Sequence, residues 1–249
     1  MSAAPGPAAP TAPAWLVEVP LAHRGLHGPG VPENSLPAFE AAADAGYGAE
    51  LDVALSADGI PVVVHDTDLA RVSDRTDRVA DLTAAQLGKV RLEGAEAGVP
   101  TLAAALRALR EVPVMVEVKS DAWRAGRLEP AVARVLDGHA GPVCVASFNP
   151  SSLRWFRRQR PDVLRVLTSG GLAEAGLPGV MRRRLEALRD LDAVAPIAVS
   201  YALGDLPHPA TDRWRERGGA LVTWTATDEP GLVRARQLAD NVIFEHVRP

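Results

Sequence analysis

Two acids on one face of an apolar strand limit how this chain can fold more than any other feature. Ala49 to Leu55 (AELDVAL) reads as a strand. Side chains alternate faces along a strand, so Glu50 and Asp52 point one way while Leu51 and Val53 point the other. Like charges so close repel each other and are costly to bury. A bound divalent cation removes both problems, since hard cations prefer carboxylate oxygens. The other solution is a half-exposed strand that turns the pair to water. The flanking residues favour a site. Val17 to Ala22 reads as a short apolar strand ending on His23-Arg24-Gly25. Asn34 or Ser35 can cap the next helix, where Leu36, Phe39 and Ala43 recur at helical spacing and Gly46 ends the run. Pro37 falls in the first turn, where its missing N–H loses no hydrogen bond. Ala57-Asp58-Gly59 then makes a tight turn, and Ile60 to Val64 runs into His65-Asp66. A histidine therefore ends each strand that flanks the acids.

Several stretches in this region carry a family resemblance. HRG, PENSLPAF, ELDV, DGIPVVVHD and DLARVSDRTDRVADLT follow one another within residues 22–82, with weaker matches continuing to the C-terminus. Together they resemble the signature of the glycerophosphodiester phosphodiesterase family, within the phosphatidylinositol-specific phospholipase C-like superfamily. The resemblance implies a (β/α)8 TIM barrel and metal-dependent hydrolysis of glycerophosphodiesters to glycerol 3-phosphate and an alcohol. It implies that His23 and His65 act as acid and base, an imidazole being suited to both jobs near neutral pH. Glu50, Asp52 and Glu117 would hold one divalent cation, Ca²⁺ or Mg²⁺. Arg24, with its fork, and Lys119, as a point charge, would take the remaining phosphate oxygens. In the family an aromatic at the position of Trp224 lines the substrate pocket. Trp224 and Phe148 are candidates for that lining, and both can equally be read as barrel packing. Family members often end the last strand with aspartate where this chain has Glu245, a departure expected to touch none of the metal or acid–base residues.

The rest of the chain is consistent with such a barrel. Its 249 residues suit one large core, and a (β/α)8 barrel typically needs about 250. Strands are expected at Pro113–Ser120, Val143–Ser147, Val163–Leu167, Val194–Val199, Ala220–Thr225 and Asn241–Phe244. With Val17–Ala22 and Ala49–Leu55 they make eight, alternating with helices, and this is the pattern of a parallel sheet. In PVMVEVKS, Glu117 and Lys119 share a face opposite Val116 and Val118. Charges in a strand buried on both faces must be paired or liganded, and these stand at its C-terminal end, where barrels keep their chemistry. Lys119 is one of two lysines, with Lys89, among 27 basic residues, so general composition does not account for it. A structural Glu117–Lys119 ion pair is the alternative. Residues 66–100 form a short, polar insertion after the second strand pair, either a lid over the barrel mouth or a solvated connection.

Met1 to Ala14 reads as a flexible Ala/Pro-rich tail ahead of a single domain over residues 15–249. It lacks the basic start and apolar core of a secretory signal, and no run approaches the ~20 apolar residues of a membrane span. The single Cys144 excludes an internal disulfide, and a cytoplasmic location is expected. A net charge of −4 gives no reason to expect a nucleic-acid partner. His139, His208 and His246 read as surface or loop residues, whereas His27 is close enough to His23 to support it. Two rivals stand beside the diesterase reading. One is a lysophospholipase D-type or other phosphodiesterase, and the other a barrel that binds phosphodiesters without turnover.

Overall fold

The computed structural model describes residues 8–120, 125–173 and 177–249. The strands are β1 (Leu21–His23), β2 (Gly48–Leu55), β3 (Pro61–Val63), β4 (Val114–Val118), β5 (Val143–Ser147), β6 (Leu164–Ser169), β7 (Ala198–Ala202), β8 (Ala220–Ala226) and β9 (Asn241–Phe244). All but β3 are parallel to their neighbours. β1 pairs with β2 on one side and β9 on the other, so the sheet closes into an eight-stranded barrel. β3 lies antiparallel to the end of β2, Val53 to Leu55 facing Pro61 to Val63.

The helices are α1 (Ala14–Glu18), α2 (Leu36–Asp44), α3 (Ala84–Leu87), α4 (Leu102–Leu109), α5 (Leu128–Leu136), α6 (Pro150–Gln159), α7 (Gly179–Glu186), α8 (Leu191–Val194), α9 (Pro209–Glu216) and α10 (Glu229–Leu238). Local chemistry sets their starts. Ser35 accepts from the Ala38 N–H, Thr101 from Ala104 and Asp228 from Gly231, each satisfying an amide that the helix cannot. The side chain of His208 caps α9 in the same way, accepting from Ala210 N–H, which gives a loop histidine a structural task. Among the described residues no helix is long and apolar enough to cross a membrane.

The barrel strands are apolar on both faces, and each face has its own layer. Leu51, Val53, Val116, Val145 and Val199 pack outward against Phe39, Leu102, Phe156 and Trp214 of the helices. Leu21, Met115, Cys144, Val166, Val222 and Ile243 fill the interior. Residues 66–100 have a third cluster, in which Leu69, Val72, Val79, Leu87 and Val99 pack on Val62 and Val64. The insertion is therefore a packed structure and more than a solvated connection.

Prolines explain two departures from the expected elements. The strand expected at Val17–Ala22 begins at Leu21, because Pro20 has no N–H for the ladder. The residues before it form α1, whose fully buried Leu16 joins the interior layer. The Asn241 amide donates to the carbonyls of Leu16 and Val19, at 2.8 and 2.7 Å, and ties this stopper to the barrel. The strand expected at Val194–Val199 begins at Ala198. Val194 ends α8, Ala195 adopts a left-handed turn and Pro196 delays pairing. Of the expected N-terminal tail, residues 1–7 lie outside the described ones. Ala9 donates its N–H to the carbonyl of Arg217 at 2.8 Å, and Ala12 packs on the interior layer.

The loop after β1 depends on a glycine. Gly25 has φ +82°, and a Cβ there would lie 2.9 Å from both the carbonyl carbon and the Cβ of Ala38 in α2. Gly25→Ala is expected to cost about 1–3 kcal/mol in denaturant unfolding, from left-handed strain and the clash together. Gly28→Ala, where a Cβ meets nothing within 4 Å, serves as the control and should stay near neutral.

Candidate active site

The C-terminal ends of β1, β2 and β4 bring the acids together. In the ladder His23 stands opposite Glu50, and Asp52 opposite Glu117. Register therefore delivers three carboxylates and a histidine to one end of the barrel, the end where barrel enzymes place their chemistry. A cavity of about 170 Å³ opens there, and every candidate residue read from the sequence for metal, acid–base or substrate work lines it. A larger hollow of about 830 Å³, bordered by Arg107, Arg110, His139 and Pro142, lies beside the loop that enters β5.

Glu50, Asp52 and Glu117 are buried, and each offers an oxygen within 4.8 Å of the others. Their charges are partly answered. Lys119 Nζ lies 2.7 Å from Glu117 and 3.0 Å from Asp52, and Arg24 Nε lies 3.3 Å from Asp52. Asn34 donates to Asp52 at 3.0 Å, so of the two residues that could cap α2, Ser35 does so and Asn34 serves the acid.

Burial alone would raise the Asp52 carboxyl, but Lys119, His65 and Arg24, with the Asn34 hydrogen bond, hold it well below the ordinary range. Glu50 goes the other way. Burial, then repulsion from Asp52 and Glu117, pushes it well above its ordinary value of 4.5 despite Lys119 and Arg24. Burial also raises Glu117, against the pull of Lys119. One carboxylate of the three is thus left without adequate positive charge, and an all-oxygen donor set with that deficit suits a hard divalent cation.

Both histidines are backed by carboxylates. His23 Nδ1–H donates to Glu245 Oε2 at 2.7 Å, and His65 Nδ1–H donates to Asp66 Oδ1 at 2.6 Å. These bonds place a proton on Nδ1 of each ring and leave Nε2 as the atom that can accept or give one. His23 Nε2 lies 4.0 Å from Glu50. The departure at Glu245 thus touches a candidate acid–base residue directly, contrary to the expectation from sequence. The long glutamate side chain spans from the end of β9 to the ring on β1.

A chain of charges joins the two histidine sides across the mouth. Arg24 pairs with Glu33 at 2.9 Å, Arg71 grips Glu33 with two nitrogens at 2.8 and 2.7 Å, and Arg71 Nε reaches Asp66 at 2.6 Å. Burial would raise Glu33, but Arg71 and Arg24 bring it below its ordinary value. Arg71 belongs to the insertion, so this segment is tied to Arg24 on one side and His65 on the other.

Phe148 and Trp224 meet edge to face with centroids 5.5 Å apart, at the cavity wall. Trp224 Nε1, Thr168 Oγ1 and Ser200 Oγ are buried there without hydrogen-bond partners. The two hydroxyls, like Glu33, Asp66 and Arg71, went unnoticed in the sequence. A polar residue at the end of a short apolar strand was the available signal for Thr168 and Ser200.

The chain is similar to known proteins in sequence and in fold. The model of the Glycerophosphoryl diester phosphodiesterase family matches residues 23–246. The chain is 31% identical over 235 residues to a Mycobacterium tuberculosis protein named "Probable glycerophosphodiester phosphodiesterase 2", covering 86% of this chain and 81% of that one. It is 32% identical over 160 residues to "Glycerophosphodiester phosphodiesterase 1" of Homo sapiens, 59% of this chain but only 48% of the human one. Its fold is similar to that of an Oleispira antarctica phosphodiesterase solved in complex with the product sn-glycerol-3-phosphate. The TM-score is 0.78 at 24% identity, over 92% of this chain and 94% of the other.

Two outcomes test the electrostatics. Lys119→Met leaves Glu117 and Asp52 without their shared partner, and in chelator this should cost about 3–5 kcal/mol of stability. Saturating Mg²⁺ or Ca²⁺ should recover much of that loss; an equal loss with and without cation would show that Lys119 does not answer the same charge. The second concerns Glu50, whose folded-state pKa lies above the unfolded one. Its contribution is fully present below the unfolded value near 4.5 and is lost as pH rises through the folded value. In chelator, melting temperature should therefore fall with rising pH above this point, and Glu50→Gln should flatten the slope.

Proposed function

The chain belongs to the glycerophosphoryl diester phosphodiesterase family, and on that premise we propose that it hydrolyses glycerophosphodiesters to glycerol 3-phosphate and an alcohol, with one divalent cation, Ca²⁺ or Mg²⁺. The observation that carries this reading is the pair of imidazoles, each anchored at Nδ1 by a carboxylate, lining the same cavity as three crowded acids. Two proton-transfer groups with a cation-holding cluster is the equipment that an in-line displacement at phosphorus needs.

Glu50, Asp52 and Glu117 would hold the cation, which when bound neutralises charge on a non-bridging phosphate oxygen. Arg24 and Lys119 take the other non-bridging oxygen. Lys119 is positioned for this by Asp52 and Glu117, and burial notwithstanding, those acids keep it protonated. One of His23 and His65 accepts the proton of the attacking hydroxyl at Nε2. The other donates its proton to the alcohol oxygen as the P–O bond to that oxygen breaks. The attacking hydroxyl is the free one next to the ester oxygen on glycerol, which closes a cyclic phosphate. Water then opens the ring with the two histidines in exchanged roles. Trp224 and Phe148 form an apolar wall for the glycerol carbons, and the unpaired Thr168, Ser200 and Trp224 polar groups are free to meet its hydroxyls. The insertion acts as a lid through Arg71. A mouth ringed by Arg24, Glu33, Asp66 and Arg71 suits a water-soluble head group better than the apolar chain of a lysophospholipid.

A panel of glycerophosphodiesters assayed for glycerol 3-phosphate release, with Ca²⁺, Mg²⁺ or EDTA, tests the reading as a whole. Full activity after dialysis into chelator would remove the cation from the scheme. His23→Ala and His65→Ala should each lower kcat by about 10²- to 10⁴-fold, the usual scale of acid–base help, with little change in cation affinity. Asp52→Asn should lower both. A diester analogue without the free glycerol hydroxyl should bind and turn over far more slowly, whereas equal rates would indicate direct attack by water.

A further inference from the structure

Glu245 has a second oxygen, and it faces a different set of donors. While Oε2 accepts from His23, Oε1 lies 3.4 Å from His27 Nε2 and 3.1 Å from His246 Nε2. The two imidazoles meet edge to face, centroids 5.4 Å apart. One nitrogen from each ring and one carboxylate oxygen lie within 4.8 Å of one another.

Neither histidine is accounted for by packing alone. His27 is only 11% exposed, and its Nε2 is buried with no hydrogen-bond partner despite the nearby carboxylate. His246 has φ +61°, and the N–H of Val247 bonds back to the carbonyl of Glu245 at 2.8 Å. It is thus the central residue of a γ-turn with positive φ, a rare and strained conformation. That turn sets its ring beside His27 and Glu245, although the two histidines come from loops at opposite ends of the chain.

The spacing suits a metal. Donors bound at about 2.0–2.2 Å in a tetrahedral arrangement lie roughly 3.3–3.6 Å from each other, close to the separations already present around Oε1. Two imidazoles and one carboxylate are the donor set that Zn²⁺ takes, with a fourth position left open, and hard Ca²⁺ and Mg²⁺ prefer oxygen alone. We propose that His27, Glu245 and His246 form a second metal site, for Zn²⁺ or a similar borderline divalent ion, separate from the all-oxygen group of Glu50, Asp52 and Glu117. Through Glu245 an ion there shares its carboxylate with His23. The binding proposal does not depend on the catalytic role given to His23, and its test reads binding alone.

The test is a competition titration of the full chain with Zn²⁺ against a colorimetric zinc chelator, in excess Mg²⁺ to occupy the three-carboxylate group. One equivalent of Zn²⁺ should remain bound. His246→Asn keeps a residue that tolerates the left-handed turn and removes the imidazole; His27→Gln removes the other. Each should weaken binding by more than about 100-fold, the upper end of what loss of a supporting partner alone would cost. Asp52→Asn should leave Zn²⁺ binding unchanged. In the same variants Co²⁺, used as a spectroscopic probe, should lose the visible absorption that imidazole ligation produces. Affinity that is unchanged in both histidine variants, or Zn²⁺ fully displaced by excess Mg²⁺, would overturn the proposal.

Discussion

Three carboxylates share the C-terminal mouth of the barrel, and most of the surrounding structure answers their mutual repulsion. Strand register puts Asp52 and Glu117 side by side, and Glu50 one step deeper on the same inner face. Such a group would be unstable in an apolar interior, so donors converge on it from three directions. Lys119 comes from the strand that carries Glu117, Arg24 from the loop after β1, and Asn34 adds a neutral donor from the start of α2. The arrangement is unequal by construction. Asp52 receives most of the positive charge and is held ionised, while Glu50 receives least and resists ionisation. An added positive charge would relieve a site so divided.

The same logic extends outward to the mouth. Arg24 cannot serve Asp52 alone, because it also pairs with Glu33, and Glu33 is in turn gripped by Arg71. Arg71 continues to Asp66, which fixes the ring of His65. The insertion, which has its own apolar cluster, is therefore connected to the acids by alternating charges as well as by sequence. A shift of Arg71 would be felt at Arg24 and His65 together.

The sequence made a good part of this legible, for identifiable reasons. Alternation in AELDVAL shows which side Glu50 and Asp52 face, and the charges in VMVEVKS had to be paired or liganded, as the 2.7 Å contact of Lys119 with Glu117 illustrates. Eight expected strands, alternating with helices, were enough to anticipate the barrel. Strand boundaries failed where proline intervened. Pro20 and Pro196 sit inside apolar runs that look continuous, yet neither can enter a ladder, and the flanking residues became α1 and the turn after α8. The partners of the histidines were illegible for a different reason. Glu245 is separated from His23 by 222 positions, and nothing in the local pattern of either segment encodes their meeting. It follows only from closure of the ring, which sets β9 beside β1.

Closure also explains why a glutamate at this position has consequences that a shorter acid would not. Its carboxylate must cross from the end of β9 to Nδ1 of a ring on β1, and it does so with Oε2 at 2.7 Å. The reach leaves Oε1 displaced toward the rim, where His27 and His246 stand. The hydrogen bond from His23, then the pull of His27, holds this acid well below the ordinary range against the opposing effect of burial. Its two oxygens face different rings, His23 at Oε2 and His27 with His246 at Oε1. Anything that engages Oε1 strongly withdraws charge from Oε2, and with it the force that fixes His23. The two sides of Glu245 are therefore coupled by a single carboxylate, and the geometry around it decides how tightly.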